Sequence, residues 1–147
     1  MKEDSFHSGQ FDLHGSSQGV VMPSKDEHLL QADHNRDFWC SFDFNSTSFL
    51  DWVVTGIFYE GVHRVEAFLD THGEHSDDHR QRLLAMGRYP TEVGPIATDL
   101  ETLKHESENA RYRCYKHSPE NITKDLVPII DKIKTHIQGL LQTSSTP

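Results

Sequence analysis

The chain has 147 residues, of which 35% are hydrophobic, and its formal net charge is −9 at pH 7. This length suits one domain with one hydrophobic core, and the negative charge disfavours indiscriminate nucleic-acid binding, which depends on counterion release from phosphates. We expect a cytoplasmic protein with no membrane contact, because the sequence lacks the ~18 to 20 consecutive apolar residues of a membrane span and the apolar run of a signal peptide. Two cysteines, Cys40 and Cys114, are too few for a disulfide framework.

The composition of the two ends predicts tails around a single helical domain. Residues 1–23 are rich in Gly, Ser and Gln with little periodic apolar content, and the chain ends in QTSSTP. We therefore predict a flexible tail over 1–23, a helical domain over 24–142 and a second flexible tail over 143–147.

The first half of the domain predicts two helices. Ser24 and Glu27 form a capping-box pattern that predicts a helix from Lys25 to about Trp39. Apolar residues then recur at three- and four-residue steps over 50–69, which predicts a long amphipathic helix that Gly73 ends. Within it, Gly61 is explained by a close backbone approach of a neighbour or by simple tolerance of a glycine there. Glu60 and Arg64 have the spacing of an ordinary surface ion pair.

The second half predicts three more helices. Ser76 is the expected cap of a short helix that Gly87 terminates, followed by a loop from Arg88 to Gly94. Pro95 suits the first position of a helix reaching about Lys116, where Ser118-Pro119 breaks it. A last amphipathic helix covers 126–141, with Asp125 as its cap. The pattern predicts an all-α fold, an antiparallel bundle of about four main helices plus a short helix.

A histidine-rich joint, HGEHSDDHR, follows the long helix. His72, His75 and His79, with Asp78, are residue types that could bind a divalent metal ion and so form a metal-dependent hydrolase. Their spacing is weak evidence, since helical ligand pairs lie four residues apart on one face. We favour a solvated turn and predict no metal ion and no cofactor.

A second cluster, RYRCYKH, holds three cations and two tyrosines at residues 111–117. Cations recur in the joint and after it, so the bundle could carry one basic face with stacking aromatics for single-stranded RNA. The expected RNA-binding residues are Arg80, Arg82, Arg88, Arg113, Tyr115 and Lys116. The alternative is that these cations only complement the dipole at a helix end.

The long helix also carries a polar stripe, formed by Tyr59, His63, Glu66 and Asp70 at steps of four, three and four. A histidine beside a glutamate could act as an acid–base pair. We favour a half-buried, hydrogen-bonded pair that fixes helix packing.

The motifs in combination resemble the HEPN superfamily, which comprises small helical-bundle domains of prokaryotic toxin–antitoxin and defence systems. The resemblance spans roughly residues 33–141 and rests on HNRDFW, on F-Y-x-x-x-H-x-x-E-A at 58–67, on H-x-x-x-H-R at 75–80, and on ARYRCYKH. Within it, Tyr59, His63, Glu66, His75 and His79 look like cleft or scaffold positions.

The resemblance implies a metal-independent endoribonuclease whose motif is an arginine and a histidine with four to six residues between them, and two such motifs meet across a homodimer. Arg111 and His117 match that spacing. His117 would act as general acid or base at the ribose 2′-hydroxyl, and Arg111 would stabilise the transition state. Tyr112 departs from the pattern, because nuclease members carry a small polar residue there. The alternative is a non-catalytic HEPN-type binding and dimerisation module, paired in some relatives with a nucleotidyltransferase-type antitoxin partner.

Overall fold

The computed structural model describes residues 20–145, which form a helical bundle without strands. Its helices are α1 (Lys25–Cys40), α2 (Leu50–Asp70), α3 (His79–Met86), α4 (Pro90–Tyr112), α5 (Pro119–Asn121), a π-helical segment (Ile122–Leu126) and α6 (Val127–Thr143). The four long helices α1, α2, α4 and α6 with the short α3 confirm the all-α bundle. No helix within 20–145 has the length and apolarity needed to cross a membrane.

The predicted tails fall mostly outside the described residues, which exclude 1–19 and 146–147. Residues 20–23 are exposed and have no regular secondary structure. At the other end, α6 continues to Thr143, one residue past the predicted domain boundary.

Helix α2 is the central helix of the bundle. Fifteen of its 21 residues are buried, and it packs against α1, α4 and α6, as expected for a helix enclosed on most sides. Two glycines let its neighbours approach: a Cβ at Gly56 would lie 3.2 Å from Phe38 Cδ1, and one at Gly61 would lie 3.1 Å from Leu100 Cδ1. The neighbour that lies close to Gly61 is therefore a leucine side chain and not a backbone segment.

Helix α1 begins as the sequence predicts. Ser24 Oγ accepts a hydrogen bond from the Glu27 amide at 3.3 Å, and Glu27 Oε2 accepts one from the Ser24 amide at 2.8 Å. The Lys25 amide, also unpaired within the helix, donates to Asp70 Oδ2 at 2.7 Å. The end of α2 thus fixes the start of α1.

The prediction that Glu60 and Arg64 form a surface ion pair is wrong. Glu60 is fully buried and Arg64 is 2% exposed. Glu60 Oε1 accepts from Arg64 Nη2 at 3.0 Å and from Arg36 Nε at 2.9 Å, while Oε2 accepts from Trp39 Nε1 at 2.8 Å. Arg36 continues to Asp131 on α6 at 2.8 Å, so one carboxylate links α1 and α2 directly and α6 through an arginine. The periodicity is that of a surface pair, but α1 covers this face.

Two predicted helix starts are also wrong. Asp78 caps α3, because its Oδ1 accepts from the Gln81 amide at 2.8 Å, and Ser76 lies outside the helix. Helix α4 begins at Pro90, so most of the predicted loop is helical and Pro95 lies inside the helix. The buried side chains of Val93 and Ile96 lie on opposite sides of Pro95 in sequence, and their burial offsets the backbone hydrogen bond that this proline cannot donate.

The boundary between α4 and the last helices differs as well. Helix α4 ends at Tyr112, four residues before the predicted end, because Cys114 adopts a left-handed conformation with φ of 53°. Ser118 caps the next helix by accepting from the Asn121 amide at 3.1 Å. Asp125, the predicted cap, lies in the π-helical segment and accepts from Asn121 Nδ2 at 2.7 Å.

We predict that Glu60→Gln lowers the free energy of unfolding by about 3 to 5 kcal/mol, because it leaves two buried or half-buried guanidinium groups without their shared charge. Urea unfolding followed by circular dichroism at pH 7 measures this. The matched control is Glu74→Gln, which removes a pair with Arg88, 58% exposed at its side chain, and should cost about 1 kcal/mol or less. Equal losses in the two variants would contradict a special role for Glu60.

Candidate functional site

Arg111 lies in the last turn of α4 and faces α2. Its Nη1 donates to the Tyr59 hydroxyl at 3.3 Å, and its Nε and Nη2 donate to the carbonyl and hydroxyl of Ser107, both at 3.2 Å. The guanidinium carbon lies 5.6 Å from the centre of the Tyr59 ring and 5.0 Å from that of Tyr112. A cation over aromatic faces is attracted by the ring quadrupoles, so the side chain is held in place while it stays partly exposed.

His117 lies in the loop after α4, and its imidazole is wholly enclosed. Its side chain has no exposed surface, and Nε2 pairs with Glu106 Oε2 at 2.7 Å. Nδ1 is buried and has no hydrogen-bond partner among the described residues. Tyr115 covers the ring edge-on, with the ring centres 4.7 Å apart.

The predicted catalytic pair is therefore split between two environments. Arg111 is bonded to α2 and to its own helix, whereas His117 is bonded to Glu106. A general acid or base must come within hydrogen-bond reach of the reacting proton. An imidazole with no exposed surface lacks that access in this conformation.

Exposed aromatic side chains line two adjoining clefts, one of which contains Arg111, and we name them together the aromatic groove. Its aromatic side chains are Phe38, Trp52, Tyr59 and Tyr112, which are 43%, 52%, 40% and 74% exposed. Two adjoining clefts, of about 380 and 450 Å³, share Trp52, Thr55 and Tyr59 as their common lining. Asp51 and Arg111 line the second cleft, and Gln31, His34 and Asn35 line the first.

The residues expected to bind RNA do not gather into one basic face. Arg82 is 7% exposed and donates to the buried Glu66 at 2.7 Å, and Arg88 pairs with Glu74 at 2.7 Å. Arg80 is exposed on α3. Arg82 is therefore too buried to contact a phosphate, and the charge of Arg88 is already paired with a carboxylate.

The remaining three expected RNA-binding residues lie around the loop after α4. Arg113 donates to Asn109 Oδ1 at 2.8 Å. Tyr115 is 55% exposed even though it covers His117. Lys116 lines a cleft of about 220 Å³ that also contains Asp51 and His117. The carboxylate of Asp51 offsets part of the positive charge of Lys116 in this cleft.

The polar stripe of α2 is half buried. His63 Nδ1 lies 3.0 Å from His28 Nδ1, so one imidazole must donate and the other accept. Glu66 is held by Arg82, and Asp70 caps α1. The predicted pair between His63 and Glu66 does not form, because each side chain bonds to a residue of another helix. Both bonds connect α2 to its neighbours.

The histidines of the joint point to different partners. His72 lies against Phe68 and Tyr89, His75 Nε2 lies 3.8 Å from Asp70, and His79 pairs with Glu101. Across 20–145, no three His, Cys, Asp or Glu side chains are grouped as metal ligands would be. The segment forms the turn between α2 and α3, with the His79 ring packed edge-on against Phe58.

No family model, curated protein or solved structure matches this chain. Sequence reasoning missed Phe38, Trp52 and Asp51 as groove residues. Trp52 directly precedes the buried Val53 and is not part of the periodic apolar stripe of α2. A large aromatic side chain outside the stripe is the signal that could have indicated an exposed binding residue.

We predict that His63 makes the protein less stable in mild acid. Burial away from water, with smaller contributions from His28 and Arg82, lowers the pKa of His63 to about 4, against about 6.5 in an unfolded chain. The unfolded state binds the proton more tightly, so this contribution to stability is fully present above about pH 6.5 and is lost as the pH falls towards 4.

Urea unfolding at pH 7 and pH 5 measures this dependence. We expect a smaller difference between the two pH values in His63→Gln than in the native protein. His34→Gln, which replaces an exposed histidine of α1, should leave the difference unchanged. A native-like difference in His63→Gln would refute the assignment.

Proposed function

We propose that this chain is a HEPN-type binding and dimerisation module whose aromatic groove receives a second copy of the chain. The observation that supports this most is the exposure of four aromatic side chains along one groove, two of which contact Arg111. Aromatic residues and arginine are enriched in the cores of protein interfaces, where lysine and glutamate are depleted. Burying several exposed aromatics supplies the hot-spot energy that such an interface needs.

The charge distribution favours a protein over a nucleic acid in this groove. The chain carries a net charge of −9, and Asp51 lies in the same cleft as Arg111. One carboxylate beside one guanidinium would weaken phosphate binding. In a two-fold symmetric dimer the same pair is self-complementary, because each surface presents both charges to its partner.

A nucleotidyltransferase-type partner, which the family resemblance implies, is the alternative occupant of the groove. We favour the second copy because the balanced charge of the groove suits a surface that faces itself.

RNA cleavage by Arg111 and His117 is the second candidate function. Arg111 favours it, because part of its guanidinium is open to the groove beside stacking aromatics. The enclosed His117 counts against it, since the loop over residues 113–117 would have to open before the imidazole reached a ribose hydroxyl.

We predict that the native protein is a dimer at micromolar concentration and that Trp52→Ser and Tyr112→Ser are monomers. Both residues are exposed in the single chain, so neither substitution should disturb its folding. Size-exclusion chromatography with light scattering measures the mass, and circular dichroism checks the fold.

The matched control is Leu84→Ser, which removes an equally accessible apolar side chain, 61% exposed, outside the groove. It should remain a dimer. A monomeric native protein, or a dimer that persists in both groove variants, would overturn the proposal.

We further predict no cleavage of a mixed-sequence single-stranded RNA by the native protein in EDTA. The test compares it with Arg111→Ala and His117→Ala, each checked for native melting because His117 is buried. Cleavage that leaves 2′,3′-cyclic phosphate ends, and that the folded Arg111→Ala variant lacks, would establish the second candidate and set aside a non-catalytic role.

A further inference from the structure

A cleft of about 600 Å³ lies between α1 and α6. It shares no lining residue with the aromatic groove. Leu29 on α1 and Leu141 on α6 supply apolar walls, and Lys134 and Gln138 on α6 supply polar groups. Small-molecule sites typically measure about 300 to 1,000 Å³ and combine apolar walls with a few polar groups. The cleft has the size and the mixed lining of such a site.

The buried Arg64 forms the cationic floor of this cleft. It is 2% exposed and yet belongs to the cleft lining. Its Nε and Nη2 make all the hydrogen bonds that the described residues give to this guanidinium, which leaves Nη1 available. The N–H groups of Nη1 can donate charge-assisted hydrogen bonds to a carboxylate.

Asp33 now occupies the position where a ligand carboxylate would bind. Its Oδ1 accepts from Arg64 Nη2 at 2.7 Å, but its side chain is 62% exposed. Only the Asp33 side of this pair is exposed, because Arg64 is buried. Asp33 can therefore turn into solvent when a ligand carboxylate takes its place beside Nη2, so that the buried guanidinium is never left without a partner.

The charges around the cleft select a monovalent anion. Among the lining residues, Arg64 and Lys134 are cationic, and Arg64 is also bound to the buried Glu60. Once Asp33 has turned into solvent, two positive charges and one negative charge remain at the site. One further negative charge restores the balance, whereas a phosphate dianion would exceed it.

The ligand also needs an apolar body. Leu29 and Asp33 are four residues apart on α1, and Lys134, Gln138 and Leu141 are three or four apart on α6, so each helix presents its polar and apolar lining residues on one face. A carboxylate at Arg64 and Lys134 would place an attached chain between Leu29 and Leu141.

We propose that this cleft binds a medium-chain aliphatic carboxylate, with Arg64 and Lys134 holding the carboxylate and Asp33 occupying the site when the ligand is absent. This site is separate from the aromatic groove, so it stands or falls independently of dimerisation.

Octanoate is the probe, titrated at pH 7 into the native, ¹⁵N-labelled protein by NMR and by calorimetry. We expect shifts at the amides of Leu29, Gln138 and Leu141, and roughly sub-millimolar affinity for a ligand of this size. Acetate, which lacks the apolar chain, and 1-octanol, which lacks the charge, should each bind at least about tenfold more weakly, a difference of about 1.4 kcal/mol.

Two variants change the affinity in opposite directions. Asp33→Asn should bind octanoate about tenfold more tightly, because it removes the competing carboxylate, and Lys134→Gln should bind it severalfold more weakly. The matched control is Lys132→Gln on the same helix, where the lysine pairs with Asp99 outside the cleft; its affinity should be unchanged. Shifts confined to other residues, equal binding of octanol, or an unchanged Asp33→Asn affinity would each overturn the proposal.

Discussion

The bundle depends on one buried carboxylate. Glu60 lies at the middle of α2 and accepts hydrogen bonds from Arg36 and Trp39 of α1 as well as from Arg64 of its own helix. Apolar packing is non-directional and would tolerate small rotations of α1 against α2. A carboxylate with three donors in fixed directions does not, because any rotation leaves a buried charge unpaired at high cost. The close approach at Gly56 belongs to the same interface between α1 and α2, where Phe38 and Trp39 lie against the glycine.

The same constraint explains what the sequence predicts and what it leaves open. Ser24 with Glu27, and the apolar period of α2, are local signals, and both helices begin where those signals place them. The burial of Glu60 is not local: spacing alone cannot distinguish a surface pair from one that a distant helix covers. The end of α4 was missed for a related reason, since a left-handed Cys114 has no marker such as glycine at that position.

The candidate site follows the same division. The motif spacing predicts that Arg111 and His117 act together on one continuous helix. The helix ends at Tyr112, however, so Arg111 lies on α4 and His117 lies in the loop after it, each in a different environment. The aromatic groove depends on residues that several helices bring together, namely Phe38 from α1, Trp52 and Tyr59 from α2 and Tyr112 from α4. Such a surface cannot be read from one periodic stretch, because its members are scattered among side chains that look like ordinary core edges.

The π-helical segment adjusts the helical phase of the last part of the chain. Ile122, Leu126 and Ile130 are all buried and follow each other at steps of four. Along a regular α-helix, eight residues would turn the third side chain about 80° away from the first. The wider turn over Ile122–Leu126 advances less per residue and removes much of this drift. The segment therefore acts as a register correction: one apolar row with four-residue spacing stays directed at the core, and losing a single residue there would turn α5 away from it.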